Sequence, residues 1–389
     1  MAHLTVDVKP AVLTWVLQKA INLNFDNEII ELVEKWRSGE KTPTFHQLET
    51  FSRKTGIPFG YFFLDTPPEE NCELAEFRTI DGASVMNPSR ALIDTLDTMR
   101  AVQDWMADYN RENGLDRCAY VGRMTAEDSA SRIAEDIRKE LNLPLDWFAA
   151  YRNADIAFRA LREKIGKLGI LVMVNGVVGN NTHRKLSLEE FRAFTLIDSY
   201  APLIFINSVD TANGKLFSLF HELAHVWIGR ESLYNDRYGI LNGRNREEQL
   251  CNAVAADILV PDQLFCSRWD EAEEMPAEII DRLGRYFVCS HFVLARKALD
   301  QGKIEKKEYN RLVADYTSQS QRLLQGKTQS GGGDFYRTLK SKWDPNFIRA
   351  LSGSVESGRT QYRDAYLLTQ TNGKTFTALA ENVGGYEIG

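Results

Sequence analysis

The chain has 389 residues, of which 43% are hydrophobic and 26% charged, which is typical of a globular protein of two to three domains. Lys and Arg number 47 against 54 Asp and Glu, and the net charge of −7 excludes a general attraction to nucleic acid or anionic membrane. The N-terminus lacks the pattern of a signal peptide, and no apolar run reaches the roughly 18 residues of a membrane span. The five cysteines have no CxxC spacing, which indicates reduced thiols. We therefore predict a cytoplasmic protein that does not bind membranes.

Residues 1–68 are predicted to form a small helical module. Apolar stretches at 11–17 and 29–36 indicate two short helices, and Thr44 is a suitable cap for a third. The segment WRSGEKTPTFHQL, which ends at Leu48, resembles the helix-turn-helix of XRE-type regulators, although the chain before it is short for two complete helices. Residues 1–70 contain seven Lys and Arg against ten Asp and Glu, and this balance opposes phosphate binding. DNA recognition and docking to another protein are both candidate roles for the module.

Residues 69–168 are predicted to be a helical linker region. Apolar residues at 3-to-4 spacing predict a helix over 89–114. A Thr-Ala-Glu-Asp sequence predicts the start of a second helix over 125–141, and a third is predicted near 155–168. We expect the helices of 89–168 to pack on the domain that follows.

Residues 169–325 are predicted to form the central domain, where the hydrophobic period changes. Strands are expected at 170–174, 191–197 and 203–207, and a loop is expected over 231–246. A helix is then predicted from Glu247 to Val260, where Pro261 stops it, and two short helices follow within 275–300. The fold class expected from these elements is α+β, mostly helical with a small β-sheet.

Residues 326–389 are predicted to be a Gly-rich linker followed by a helical C-terminal extension. The linker prediction rests on the sequence GKTQSGGG, although such a run can also lie close against another surface. Helical patches are expected at 335–339, 346–351, 362–368 and 376–379.

The sequence HELAH contains His221, Glu222 and His225 in the pattern H-E-x-x-H. Residues four apart lie on one face of a helix, so the two imidazoles can bind a single metal ion and Glu222 can act as the base. The alternative is a buried helix whose histidines only satisfy hydrogen bonds. Because the chain has only six histidines, we favour the metal site.

A catalytic zinc site requires a third protein ligand. Glu248 is the preferred candidate because Asn252, one turn later, can fix the tautomer of a ligating histidine. Glu247 is the second candidate, because it shares its helical face with Cys251, a weaker partner than Asn252. The alternative is that both glutamates only form the solvated start of a helix. Further acidic candidates after the motif are Glu231 and Asp257.

The sequence resembles the ImmA/IrrE metallopeptidases from about Lys35 to its end, and most closely over 169–261. The resemblance rests on F-x-L-x-HELAH, on the LIFIN that precedes it, and on the E-Q-L-C-N-x-x-A-A-x-x-L-V-P that follows. It implies a zincin-like, gluzincin-type site on two helices. Its Zn²⁺ ligands would be His221, His225 and Glu248, with Glu222 as the base. It also implies cleavage of a repressor or transcription factor, or a role as an antitoxin or stress regulator.

Three functional hypotheses follow. The first is a zinc endopeptidase acting on a specific regulatory protein, and the second is an antitoxin or transcriptional regulator that uses the fold as a platform for a protein or DNA partner. The third is a hydrolase of a non-peptide amide. A homodimer is a further candidate assembly. Candidate oxyanion donors are Tyr234, Tyr238 and His291, and the candidate substrate-aligning strand is Leu203, Ile204, Phe205, Ile206 and Asn207.

Overall fold

The computed structural model describes residues 4–19, 27–68, 88–235, 246–270, 274–326 and 335–384. The fold class is α+β, mostly helical with a small mixed sheet, as predicted. The strands are β1 (Leu171–Asn175), β2 (Val177–Val178), β3 (Asn181–Lys185), β4 (Ala193–Leu196), β5 (Leu203–Asn207) and β6 (Ser232–Tyr234). The helices are α1 (Pro10–Lys19), α2 (Asn27–Arg37), α3 (Phe45–Thr55), α4 (Arg90–Glu112), α5 (Ala130–Glu140), α6 (Ala154–Lys167), α7 (Ala212–Ile228), α8 (Arg246–Leu259), α9 (Asp262–Asp270), α10 (Pro276–Tyr286), α11 (His291–Asp300), α12 (Lys306–Gly326), α13 (Phe335–Lys342), α14 (Pro345–Glu356), α15 (Tyr362–Thr369) and α16 (Gly373–Gly384).

The main sheet has the strand order β1-β5-β4-β6, while β2 and β3 form a separate hairpin. Strand β5 pairs in parallel with β1 on one side and antiparallel with β4 on the other. Alignment of a substrate by strand addition requires an edge strand, so the prediction that Leu203–Asn207 has this role is wrong. All five residues of β5 are buried, and the nearly continuous apolar run that suggested a strand is typical of a central one.

The two faces of the main sheet pack against different sets of helices. Because side chains alternate along a strand, Val172, Ile204 and Ile206 point into the hydrophobic core that contains α6, α7 and α8. Leu171, Leu203 and Phe205 point to the opposite face, where α4 and the C-terminal helices cover them. The sheet is thus the middle layer between the helix that carries the HELAH sequence and the C-terminal region.

Helix α7 carries the HELAH sequence and lies in the centre of the molecule. Every residue from Leu216 to Ile228 is buried, in accord with the apolar flanks of the motif. The Thr211 hydroxyl accepts a hydrogen bond from the Gly214 amide and caps the first turn. At the other end, the amide of Gly122 donates to the Val226 carbonyl over 3.1 Å, so a loop from a distant part of the chain fixes the last turn.

Gly229 ends α7 in a left-handed conformation, with φ of 68°, and a Cβ there would lie 3.0 Å from the Cα of Gly122. Gly229→Ala is expected to lower the free energy of unfolding by about 2–5 kcal/mol, since it adds overpacking to the strain of a non-glycine residue. Gly114→Ala is the matched control, because φ there is 69° and nothing lies within 4 Å of the added Cβ. Urea denaturation should show a clearly smaller loss for Gly114→Ala. Equal losses would mean that the contact with Gly122 contributes nothing.

The structure corrects several element boundaries. Thr125 and Asp128 form the hydrogen-bonded turn expected of a helix cap, but α5 begins only at Ala130, after the Ser129 cap. Strand β6 lies within the segment predicted to be a loop, and the β2–β3 hairpin was not predicted. None of the described helices is both long and apolar enough to cross a bilayer.

The N-terminal helices α1, α2 and α3 share one small core, in which Trp36 packs edge-on against Phe51. Thr44 caps α3, and its side chain and that of Gln47 form a reciprocal capping box. The Lys19 ammonium group donates to the Pro88 carbonyl over 3.0 Å, so this module also contacts the chain just before α4. These contacts establish a helical module, and its predicted relation to helix-turn-helix regulators remains a prediction.

The C-terminal helices are joined to the outer edge of β1 by polar contacts. Asp344 accepts a hydrogen bond from the Val172 amide over 3.1 Å, and Arg162 donates to the Val172 carbonyl over 2.9 Å. Arg162 also donates to the Ser341 carbonyl over 2.6 Å. The amide and the carbonyl of Val172, which face away from β5, are thereby both paired. Residues 327–334, which hold most of the predicted Gly-rich linker, lie outside the described residues.

Candidate metal centre

Three side chains from α7 and α8 meet in the buried space between these helices. The Nε2 atoms of His221 and His225 lie 3.2 Å apart. The carboxylate of Glu248 lies 3.2 Å from the Nε2 of His221 and 3.3 Å from that of His225. This is the one group among the described residues that could hold a metal ion through three His, Cys, Asp or Glu side chains.

The spacing of the three groups fits zinc. Ligand atoms about 2.0–2.1 Å from a tetrahedral Zn²⁺ lie roughly 3.3 Å from one another, which is the separation observed here. Nδ1 of His221 lies 3.0 Å from the Oδ1 of Asn252. If that oxygen accepts the Nδ1 proton, Nε2 presents a lone pair toward Glu248. Lone pairs so close together repel one another unless a cation lies among them.

The contact between Asn252 and His221 agrees with the sequence argument. That argument expected Asn252, one turn after Glu248, to fix the tautomer of a ligating histidine. Glu248 is buried with 8% of its surface exposed, whereas Glu247 is more exposed and lies 3.7 Å from Arg230. The geometry therefore favours Glu248 over Glu247, the same order as the sequence does. Burial alone raises the pKa of Glu248, but without a metal, protonated His225 and His221 imidazoles would outweigh it and hold the pKa well below its usual range.

Glu222 lies on the same helix, and its carboxylate is directed toward the sheet. Thr195 in β4 donates to its Oε2 over 2.6 Å, and Ser232 in β6 donates to the same oxygen. Its Oε1 is buried without a hydrogen-bond partner among the described residues. Neither hydroxyl was a predicted site residue. The order of β4 and β6 brings them to Glu222, and no local sequence signal indicates that order.

The predicted oxyanion donors have different positions. The ring of Tyr234 lies 4.0 Å from the ring of His221 between centroids, and only 2% of Tyr234 is exposed, so it packs against a candidate ligand. His291 contacts Asp281 and the ring of Tyr316, which places it among α10, α11 and α12 instead of in the three-residue group. Tyr238 lies outside the described residues.

A cavity of about 550 Å³ lies beside this centre. Phe217, Gln249, Asn252 and Ala253 line it from α7 and α8, and Arg296 belongs to its wall on α11. Its lining is mixed polar and apolar, and its volume is within the range of small-ligand sites. Asn252 lines the cavity and contacts His221, but the three candidate ligands and Glu222 are not among the lining residues.

Two family models match parts of the chain. Residues 166–299 match the IrrE N-terminal-like domain of the M78 peptidases, a family of zinc metallopeptidases. This range contains the main sheet, α7 and α8, and the match supports the resemblance to the ImmA/IrrE family and a metallopeptidase-like function. Residues 343–382 match a domain of unknown function, DUF8813. No curated protein matches the chain.

Proposed function

We propose that this protein is a zinc-dependent endopeptidase that cleaves a specific regulatory protein. The candidate substrates are a repressor, a transcription factor or an antitoxin-type partner in a stress, phage or toxin–antitoxin circuit. The observation that carries the proposal is the convergence of His221, His225 and Glu248 at the spacing of zinc ligands, beside a buried glutamate with one free oxygen. A platform for binding alone has no need of Glu222.

The proposed reaction is hydrolysis of a peptide bond. His221, His225 and Glu248 would hold Zn²⁺, which would supply Lewis-acid chemistry toward water and a carbonyl group. Oε1 of Glu222 accepts a proton from the attacking water and transfers it to the leaving nitrogen. A C–O bond forms and the C–N bond breaks, so one water is consumed for each carboxylate and amine released. Asn252 holds the His221 ring.

A peptide could be aligned by strand addition, which requires a strand at the edge of the sheet. Strand β5 is excluded because it is central. Among the strands in the described part of the chain, β6 has the edge position beyond β4, and its Ser232 contacts Glu222. We therefore assign to β6 the aligning role that the sequence suggested for β5.

Glu222→Gln tests the proposed function. Zinc-loaded wild-type protein is expected to cleave members of a mixed synthetic peptide library, read out by mass spectrometry. The variant should retain zinc and lose about 10²–10⁴-fold in rate, the usual contribution of a general base. Glu247→Gln is the matched control, because it removes a carboxylate from the side chain that faces Arg230. Undiminished cleavage by Glu222→Gln would contradict the proposal, and an uncut partner that co-purifies with the variant would identify the substrate.

A second candidate function is a binding platform, and the N-terminal module supports it. Phe45, Phe59 and Phe63 form a chain of edge-on contacts with ring centroids 4.8 and 5.1 Å apart. Phe45 is 41% exposed and Phe63 53% exposed, and Leu4 nearby is 70% exposed. An apolar surface on an acidic module favours a protein partner over DNA. A biological effect that survives Glu222→Gln would favour this platform function.

A further inference from the structure

Two hydroxyl groups from neighbouring strands meet at a single oxygen of Glu222. Thr195 and Ser232 are directly opposite each other in the antiparallel pairing of β4 with β6. Both donate to Oε2 of Glu222, Thr195 over 2.6 Å. The exposed fraction of Thr195 and of Glu222 is 0%, and that of Ser232 is 1%. The contact therefore lies in the interior, away from bulk solvent.

The two hydrogen bonds distinguish the oxygens of the carboxylate. A hydroxyl has one proton to donate, and both protons are used at Oε2. Oε1 is equally buried, yet it has no partner among the described residues. The terminal torsion of a glutamate side chain is broad when nothing restrains it, so two donors on one oxygen fix its rotation. The carboxylate is thus held with one oxygen anchored to the sheet and the other available.

We propose that Thr195 and Ser232 are positioning residues that hold Glu222 by Oε2 and keep Oε1 free for the proton of the attacking water. This inference rests on the proposed function. The Thr195 hydroxyl lies 3.3 Å from the Glu222 backbone carbonyl as well, so β4 also follows the backbone of α7 at this residue. Proper placement of a reacting group accounts for a large part of many enzymatic rate enhancements.

The test uses the full chain loaded with zinc. Thr195→Val keeps the shape and strand preference of threonine but removes the hydroxyl, and Ser232→Ala does the same for serine. We expect each to lower kcat by about 10–100-fold on a peptide that the wild-type protein cleaves, with KM and zinc content unchanged. Thr195→Ser should recover most of kcat because it restores the donor. Thr369→Val is the control, since it removes an equally buried hydroxyl in α15.

A second measurement needs no substrate. In a crystal structure of the zinc-loaded Thr195→Val, Ser232→Ala double variant, the Glu222 carboxylate is expected to rotate or to occupy more than one orientation. An unchanged orientation of the Glu222 carboxylate would overturn the inference. So would an unchanged kcat in the single variants, or a fall in kcat that occurs only in variants that have also lost bound zinc. If the wild-type protein cleaves no peptide, the proposed function fails. If Thr195→Val cleaves at the wild-type rate while Glu222→Gln is inactive, only the positioning role is contradicted.

Discussion

Glu248→Ala is expected to lower zinc affinity by more than about 100-fold, beyond the usual effect of losing a group that only supports a ligand. The substitution removes one of three donors and leaves His221 and His225, which cannot complete a catalytic zinc site. The metal-free protein should remain folded, because the change also removes a buried carboxylate. Competition with a chromophoric chelator measures the affinity, and the rise in Tm on adding zinc should shrink in parallel.

Glu247→Ala is the control for this experiment. It precedes Glu248 on α8, but it faces Arg230 at 3.7 Å and lies outside the three-residue group. Its zinc affinity should match that of the wild-type protein. If Glu247→Ala lost zinc and Glu248→Ala kept it, the ligand assignment would have to be reversed.

Asp344→Ala is expected to lower the free energy of unfolding by about 2–5 kcal/mol, because it removes a buried carboxylate that accepts hydrogen bonds from two backbone amides. Burial raises the pKa of Asp344 and lowers that of Arg162. The loss arises because the amides of Val172 and Asn346 lose their acceptor, at 3.1 and 2.8 Å. Urea denaturation of the zinc-free protein measures the change.

Two further variants serve as comparisons for the loss of unfolding free energy in Asp344→Ala. Asp344→Asn keeps one acceptor oxygen and should lose less than Asp344→Ala. Asp364→Ala removes an exposed acidic residue from the first turn of α15 and should change the unfolding free energy by less than about 0.5 kcal/mol. A loss below about 1 kcal/mol for Asp344→Ala would show that the junction with β1 adds little stability.

The local part of the candidate site could be predicted from the sequence. His221 and His225 share one helix, so their relative position depends only on helical geometry. Glu248 is on a different helix, but the same local argument applied to Asn252 ranks it above Glu247. The structure brings these residues together in that order.

The surroundings of Glu222 could not be predicted in this way. Thr195 and Ser232 meet only because β4 and β6 are neighbours, and strand order depends on contacts between distant parts of the chain. The same reason explains the error over β5. Its apolar sequence predicts a strand. Its central position, however, arises because β1 pairs with it on one side and β4 on the other. The short strand β6 was missed because three residues have no periodicity to detect.

The C-terminal helices complete the interior of the protein, which affects how the chain can be dissected experimentally. Phe194, Phe205 and Leu203 of the sheet share one hydrophobic cluster with Trp343 and Phe347. A truncated chain that stops before α13 would leave this apolar face of the sheet open to water and to other copies. If such a fragment were inactive, misfolding or aggregation would explain the inactivity. The inactivity would not show that a regulatory segment had been removed.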